Sequence, residues 1–220
     1  MQTIWLSHPL TEQTPLYGGG QGIEIRPDKS IADGDSCNTT HLRFPAHSGT
    51  HVDTPRHFVG DGRNLDDIAP GEWIFNSPQM ISVNVEPGTL IGAESIASSI
   101  DNDSKSDLLL IFTGFERYRG EPLYWQNSPG LKPELADFFS SRMSRLRAIG
   151  IDFISISSLA HRETGRAAHQ ALLGKDLLLF EDMALAGIAD RGDLKQVIAL
   201  PLRIAASDGV PCSLIGLITP

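Results

Sequence analysis

Cysteine is scarce in this chain. Cys37 and Cys212 are its only two, far apart and outside any Cys-x-x-Cys pair. That excludes a thiolate zinc ribbon and argues against a disulfide framework. Long apolar runs are also missing: none reaches about 18 residues, the length a helix needs to span a bilayer. No basic run is present, and 18 Lys and Arg stand against 27 Asp and Glu, a formal net charge of −9. Nucleic acid and anionic membranes need a basic face, so neither is expected as a partner. The first fifteen residues carry neither the basic stretch nor the apolar core of a signal peptide. These absences lead to the expectation of a cytoplasmic protein acting on a small molecule.

What remains is an ordinary globular composition, 40% hydrophobic and 20% charged over 220 residues. This suits a single domain spanning 1–220. β-prone segments are expected at 2–6, 38–44 and within 72–86, including 80–85. The continuous apolar stretch at 107–115 predicts a buried strand that ends in Thr-Gly. Further strands are expected at 151–157 and 177–180, and two more in the final segment. Helices are expected at 89–100, 132–149 and 164–173, the last two stopping at Gly150 and Gly174. The mixture predicts an α/β fold with more strand than a doubly wound sheet needs. A glycine-rich loop at 17–22 lacks the following Lys-Ser/Thr of a phosphate loop.

The most informative stretch is HSGTHVDTPRH at 47–57. In a helix, Asp53 would be turned about 200° from His51, and Gly49 and Pro55 disfavour a helix in any case. In an extended strand, His47, Gly49, His51 and Asp53 point to one side, and the glycine leaves room for an ion. Pro55 then bends the chain and re-aims His57. Nitrogen and oxygen ligands without cysteine suit zinc or manganese. An open site of this kind lowers the pKa of bound water to about 7 and polarises a carbonyl. His57, one step beyond the ligands, is placed to accept and return a proton.

At every fixed position this run resembles the HxGTHxDxPxH signature of the cyclase family, which includes bacterial kynurenine formamidases and isatin hydrolases. Similarity extends to the FTG strand end, to Gly150-Ile151-Asp152, and to a later His…Glu pair. The resemblance implies the swivelling β/β/α fold and one or two divalent ions, Zn2+ or Mn2+. His47, His51 and Asp53 would be ligands, with Asp53 bridging and His57 as acid/base. It also implies two further ligands, a histidine and a glutamate twelve residues later, which His169 and Glu181 satisfy. His161, in a loop-like AHRETG context, competes with His169. The family's substrate-contacting aromatic, a tryptophan before Pro-Gly-Asp, is matched here by Tyr17 before three glycines. The Pro211-Cys212-Ser213 segment also departs from the usual pattern.

The implied activity is metal-dependent hydrolysis of a non-peptide C–N bond in a small amide or lactam. It resembles arylformamidase action on N-formylkynurenine in tryptophan catabolism, with isatin-type ring opening as the alternative. A homo-oligomer, typically a homodimer, is implied as well. Two other classes compete: a non-haem iron oxygenase using His51, Asp53 and His169, and a metal-binding relative without activity.

Overall fold

The computed structural model describes residues 2–20, 22–189 and 193–219. The strands in chain order are β1 (Gln2–Trp5), β2 (Glu24–Lys29), β3 (Thr39–Arg43), β4 (His51–Asp53), β5 (Ile74–Phe75) and β6 (Pro78–Ser82). They continue as β7 (Leu90–Ile91), β8 (Leu108–Phe112), β9 (Gly130–Leu131), β10 (Ala148–Ile151), β11 (Leu178–Glu181), β12 (Leu194–Pro201) and β13 (Gly209–Ile218). The helices are α1 (Ala93–Ile96), α2 (Pro122–Gln126), α3 (Leu135–Arg142) and α4 (Arg162–Leu173). Among the described residues no helix is long and apolar enough to cross a membrane.

Eight strands follow the order β5-β12-β13-β4-β11-β10-β8-β6, and β1 adds to β13. The strands β6, β8, β10 and β11 run parallel, while β4, β13, β12 and β5 pair antiparallel. The two ends of this order, β5 and β6, are joined by Asn76 and Ser77 alone. So short a link forces the sheet to curl until its ends approach, giving a nearly closed barrel.

The apolar run in β8 shows how the layers form. Leu108 and Leu110 point into the barrel with Val52, Phe75, Phe180, Val197 and Val210. Leu109 and Ile111 point outward, into a second core with Leu135 and Phe139 of α3 and Ala168 and Leu172 of α4. A parallel strand covered on both faces reads as an unbroken hydrophobic run for this reason.

Several expected boundaries move. The helix expected over 132–149 stops at Arg142. The Ser140 and Ser141 hydroxyls donate to the carbonyls of Ala136 and Phe138, a bonding habit that weakens helices. The following Ala148–Ile151 is claimed by pairing with β8 and β11 on either side. Strand structure expected at 151–157 therefore ends at Ile151, and residues 152–157 form a loop. The segment 89–100 divides into β7, the single turn of α1 and a 3-10 turn at Ala97–Ser99. The hairpin strand β2 carries no apolar alternation, so no local pattern marks it as a strand.

Candidate metal centre

Strand β4 is short, and all three of its residues are buried. Val52 enters the barrel core, so the period-two alternation sends His51 and Asp53 to the outer face. Pairing with β11 sets Glu181 opposite His51, and Phe180 faces the barrel. Glu181 is therefore delivered beside His51 and Asp53. On the same outer side α4 brings up His169, whose ring stacks on Phe58 at 4.5 Å between centroids.

His47 arrives by another route. Extended structure over 47–53 was expected, but the strand begins only at His51, because Gly49 adopts φ +60° and turns the chain. The turn still returns the His47 ring to Asp53, with Nδ1 2.7 Å from Oδ1. Gly209, opposite Asp53 in β13, makes room: a Cβ there would stand 2.3 Å from His47 Cε1. The 3-10 turn Pro55–His57 then folds His57 over His47, stacked at 4.0 Å.

His51 Nδ1 lies 2.8 Å from the Gly49 carbonyl, and His169 Nδ1 lies 2.9 Å from that of Gly165. Each Nδ1 therefore donates, which leaves Nε2 facing the carboxylates, to carry a proton there or to ligate an ion in its place. His51 Nε2 is 3.4 Å from both Asp53 and Glu181, and His169 Nε2 is 3.6 and 3.5 Å from the same two groups. Two ligands each about 2.1 Å from an ion stand about 3.4 Å apart at the tetrahedral angle. The donor set fits a divalent ion on spacing as well as on chemistry. Donor atoms of His51, Asp53 and Glu181 lie within 4.8 Å of one another, as do those of His47, Asp53 and His57. Asp53 belongs to both groups.

The charges agree. Burial opposes ionisation of Asp53, but His169, His47 and His51 hold its carboxyl well below the usual carboxylate range. Burial and Asp53 both oppose ionisation of Glu181, and the bonds from His169 and His51 prevail, lowering its pKa. Burial likewise disfavours imidazolium at His169, yet Asp53 and Glu181 push it up to about 10. A buried pair of carboxylates that draws protons onto its imidazoles is a cavity arranged for positive charge.

Several residues that brace this cluster carry no local signature. Asp208 lies 151 positions from His57, and its Oδ2 is 2.7 Å from His57 Nδ1 and 3.2 Å from His47 Nε2. Ser155 Oγ and the Ile156 amide donate to Glu181 Oε1 at 3.1 and 2.7 Å. Asp182 is buried rather than solvated. Arg119 binds it through both carboxylate oxygens, and the Tyr124 hydroxyl donates to it at 2.5 Å. Nothing local marks these residues, since each acts across a long stretch of chain.

The Thr-Gly and Gly-Ile-Asp segments meet directly. Asp152 Oδ1 accepts from the Thr113 amide at 2.9 Å and from its hydroxyl at 2.7 Å, while Oδ2 has no partner among the described residues. Burial pushes this carboxyl up to about 6 against the opposing Thr113 bonds. A raised acid stabilises the fold fully below its unfolded pKa, near 4, and loses that contribution as pH rises through about 6. Chelator-treated protein should therefore lose about 1.4 kcal/mol from this group between pH 5 and pH 8, roughly half of a total of about 3 kcal/mol that begins to be lost near pH 4. Asp152→Asn should remove that slope; denaturant titrations showing the same pH dependence in both proteins would refute the assignment.

The cluster opens into a cavity of about 440 Å3, bordered by Tyr17, Phe58, Ile154, Arg162 and Arg166 as well as the metal-ligand candidates. Tyr17 starts a 3-10 turn whose glycines Gly18 and Gly19 take positive φ. Gly19 lies so close to Trp125 that a Cβ would meet its Nε1 at 2.8 Å. His161 is exposed in a 3-10 turn ahead of α4 and does not border the cavity. The structure thus gathers His47, His51, Asp53, His57, His169, Glu181 and Tyr17 around one cavity and leaves His161 outside.

The description "putative cyclase" matches residues 4–158 of this chain. A kynurenine formamidase from Bacillus cereus is 28% identical over 214 residues, covering 94% of this chain and 93% of its own. Solved structures that share the fold include two isatin hydrolases. An isatin hydrolase bound to the product analogue thioisatinate superposes with a TM-score of 0.83 at 19% identity, over 99% of this chain and 93% of its own. Isatin hydrolase A from Labrenzia aggregata, bound to benzyl benzoate, gives 0.82 at 21% identity, over 100% and 94%. His169 and Glu181 lie beyond the matched 4–158 segment, so their place beside the motif rests on the geometry above.

Proposed function

The chain belongs to the putative cyclase family, and from that premise we propose that it is a metal-dependent hydrolase of the arylformamidase type. Its substrate is a small aromatic amide, cleaved at a non-peptide C–N bond. The observation that carries this reading is the convergence of two imidazole Nε2 atoms and two carboxylates at 3.4–3.6 Å inside an open cavity. His51, Asp53, His169 and Glu181 would hold one ion, and Asp53 would share a second with His47. Zinc or manganese suits these nitrogen and oxygen donors. Such an ion supplies Lewis acidity, polarising a carbonyl and acidifying water.

The proton work falls to His57. Its Nδ1 is held by Asp208 at 2.7 Å, which fixes the neutral tautomer with Nδ1–H toward the carboxylate. Nε2 is then free to take a proton from the attacking water and deliver it to the leaving nitrogen. Asp208 keeps the ring oriented and steadies the imidazolium while it exists. Phe58, stacked on His169 and against the edge of His57, shields this side of the site from bulk water. Tyr17 stands at the cavity wall as a substrate contact.

A lactam is the second reading, favoured by the Tyr-Gly-Gly-Gly loop in place of the formamidase Trp-Pro-Gly-Asp. Metal analysis followed by parallel assays on N-formylkynurenine and isatin tests both. We expect one to two equivalents of zinc or manganese and faster turnover of N-formylkynurenine. Activity should vanish with chelator and return with the ion. Activity indifferent to chelator, or no turnover of either compound, would sink the reading.

A further inference from the structure

Helix α4 carries an unusual inward stripe. Positions 162, 166, 169 and 173 fall on one side of an α-helix. Leu173 and His169 are buried there, as expected of an inward stripe. Continuing toward the helix start, the same side of the helix presents Arg166 and Arg162, both exposed and both bordering the cavity. Neither guanidinium has a hydrogen-bond or ion-pair partner among the described residues. Their placement is locally unfavourable twice over. Like charges four apart on a helix repel, and Arg162, the first residue of α4, sets a cation against the positive end of the helix dipole. Glu163, which also borders the cavity, pairs with neither. Two unpaired cations at the mouth of a cavity, on a chain of net charge −9, attract an anionic ligand against the field of the rest of the surface.

Helix geometry sets the scale. At about 1.5 Å per residue, Arg166 starts about 4.5 Å and Arg162 about 10.5 Å along the axis from His169. The same cavity is lined by Phe58, Ile154 and Tyr17, apolar and aromatic walls suited to a flat ring. We propose that Arg162 and Arg166 form a carboxylate-binding end of this cavity and select aromatic amides whose carboxylate lies across the ring from the scissile carbonyl. Arginine's planar fork suits this task, since it can meet a carboxylate with two parallel bonds. The assignment rests on the amide-hydrolase reading for what happens at the other end of the substrate, but not for the binding of the anion.

Two probe pairs separate these claims. 4-Formamidobenzoate and formanilide share the scissile formamide and the ring, and differ by the carboxylate. The ratio of their kcat/KM values should fall about tenfold in Arg162→Gln or Arg166→Gln, and about a hundredfold in the double variant, mainly through KM. Arg166→Lys should retain part of the ratio, because it keeps the charge without the fork. An unchanged ratio in the double variant overturns the proposal. Calorimetric titration of 4-aminobenzoate into the metal-loaded protein reads the arginines without turnover. Its affinity should weaken by the same factors, and should weaken with added salt. No binding by the parent protein, or equal binding by the double variant, overturns the proposal whatever the kinetics. Arginine-dependent binding without hydrolysis of either formamide supports it and refutes the amide-hydrolase reading instead.

Discussion

Replacing Asp53 with Asn is expected to empty the metal centre and lower kcat/KM on the best amide substrate by about 10^4-fold, the scale seen when an essential active-site carboxylate is neutralised. Asp53 is 1% exposed and faces three imidazoles: His47 at 2.7 Å, His51 at 3.4 Å and His169 at 3.6 Å. It is common to both groups of close-set donor atoms. An asparagine preserves the shape and one oxygen but removes the charge that a divalent ion and the surrounding imidazoles require. The chelator-treated variant should also be less stable than the chelator-treated parent by about 3–5 kcal/mol at neutral pH, because buried imidazolium loses its partner. Metal quantification, steady-state kinetics and denaturant unfolding on the same samples read all three effects. Retention of both metal and activity would show that Asp53 is not the shared ligand.

His57→Ala should cut kcat by about 10^2- to 10^4-fold while metal content stays at the parent level, the range for loss of a positioned general acid–base. Metal content is the discriminating measurement, because the His57 donor atom lies within 4.8 Å of those of His47 and Asp53. Proportional loss of metal would reassign His57 as a ligand. Asp208→Asn provides the companion measurement. The carboxylate touches both His57 and His47 and is half-exposed, so it positions rather than reacts. Its replacement should cost about 10- to 100-fold, the usual effect of losing a partner behind a functional histidine.

The motif at 47–57 could be read as metal-binding because its residue types are wrong for a core and right for an ion. The parallel strands could be read because Leu108–Phe112 and 177–180 are apolar without alternation, as strands covered on both faces must be. Some local expectations failed for a common reason. Gly49 turns the chain where alternation suggested a strand, and β10 takes residues that helical periodicity had assigned to α3. In each case a tertiary partner outweighed a weak local preference: His47 bonds Asp53, and β8 and β11 flank β10.

By itself, then, the sequence determined the chemistry on offer: imidazoles and carboxylates, few thiols, and a spacing that brings most of them into one short segment. Only the tertiary structure decided which of them meet. The pairing of β11 with β4 sets Glu181 against His51, and a slip of one residue would turn Glu181 into the barrel. The packing of α4 selects His169 and leaves His161 outside. The turn after β12 returns Asp208 to His57 across 151 positions. Periodicity and propensity are properties of neighbours in sequence, whereas register and packing depend on the whole closed sheet, and it is these that turn a set of donors into a site.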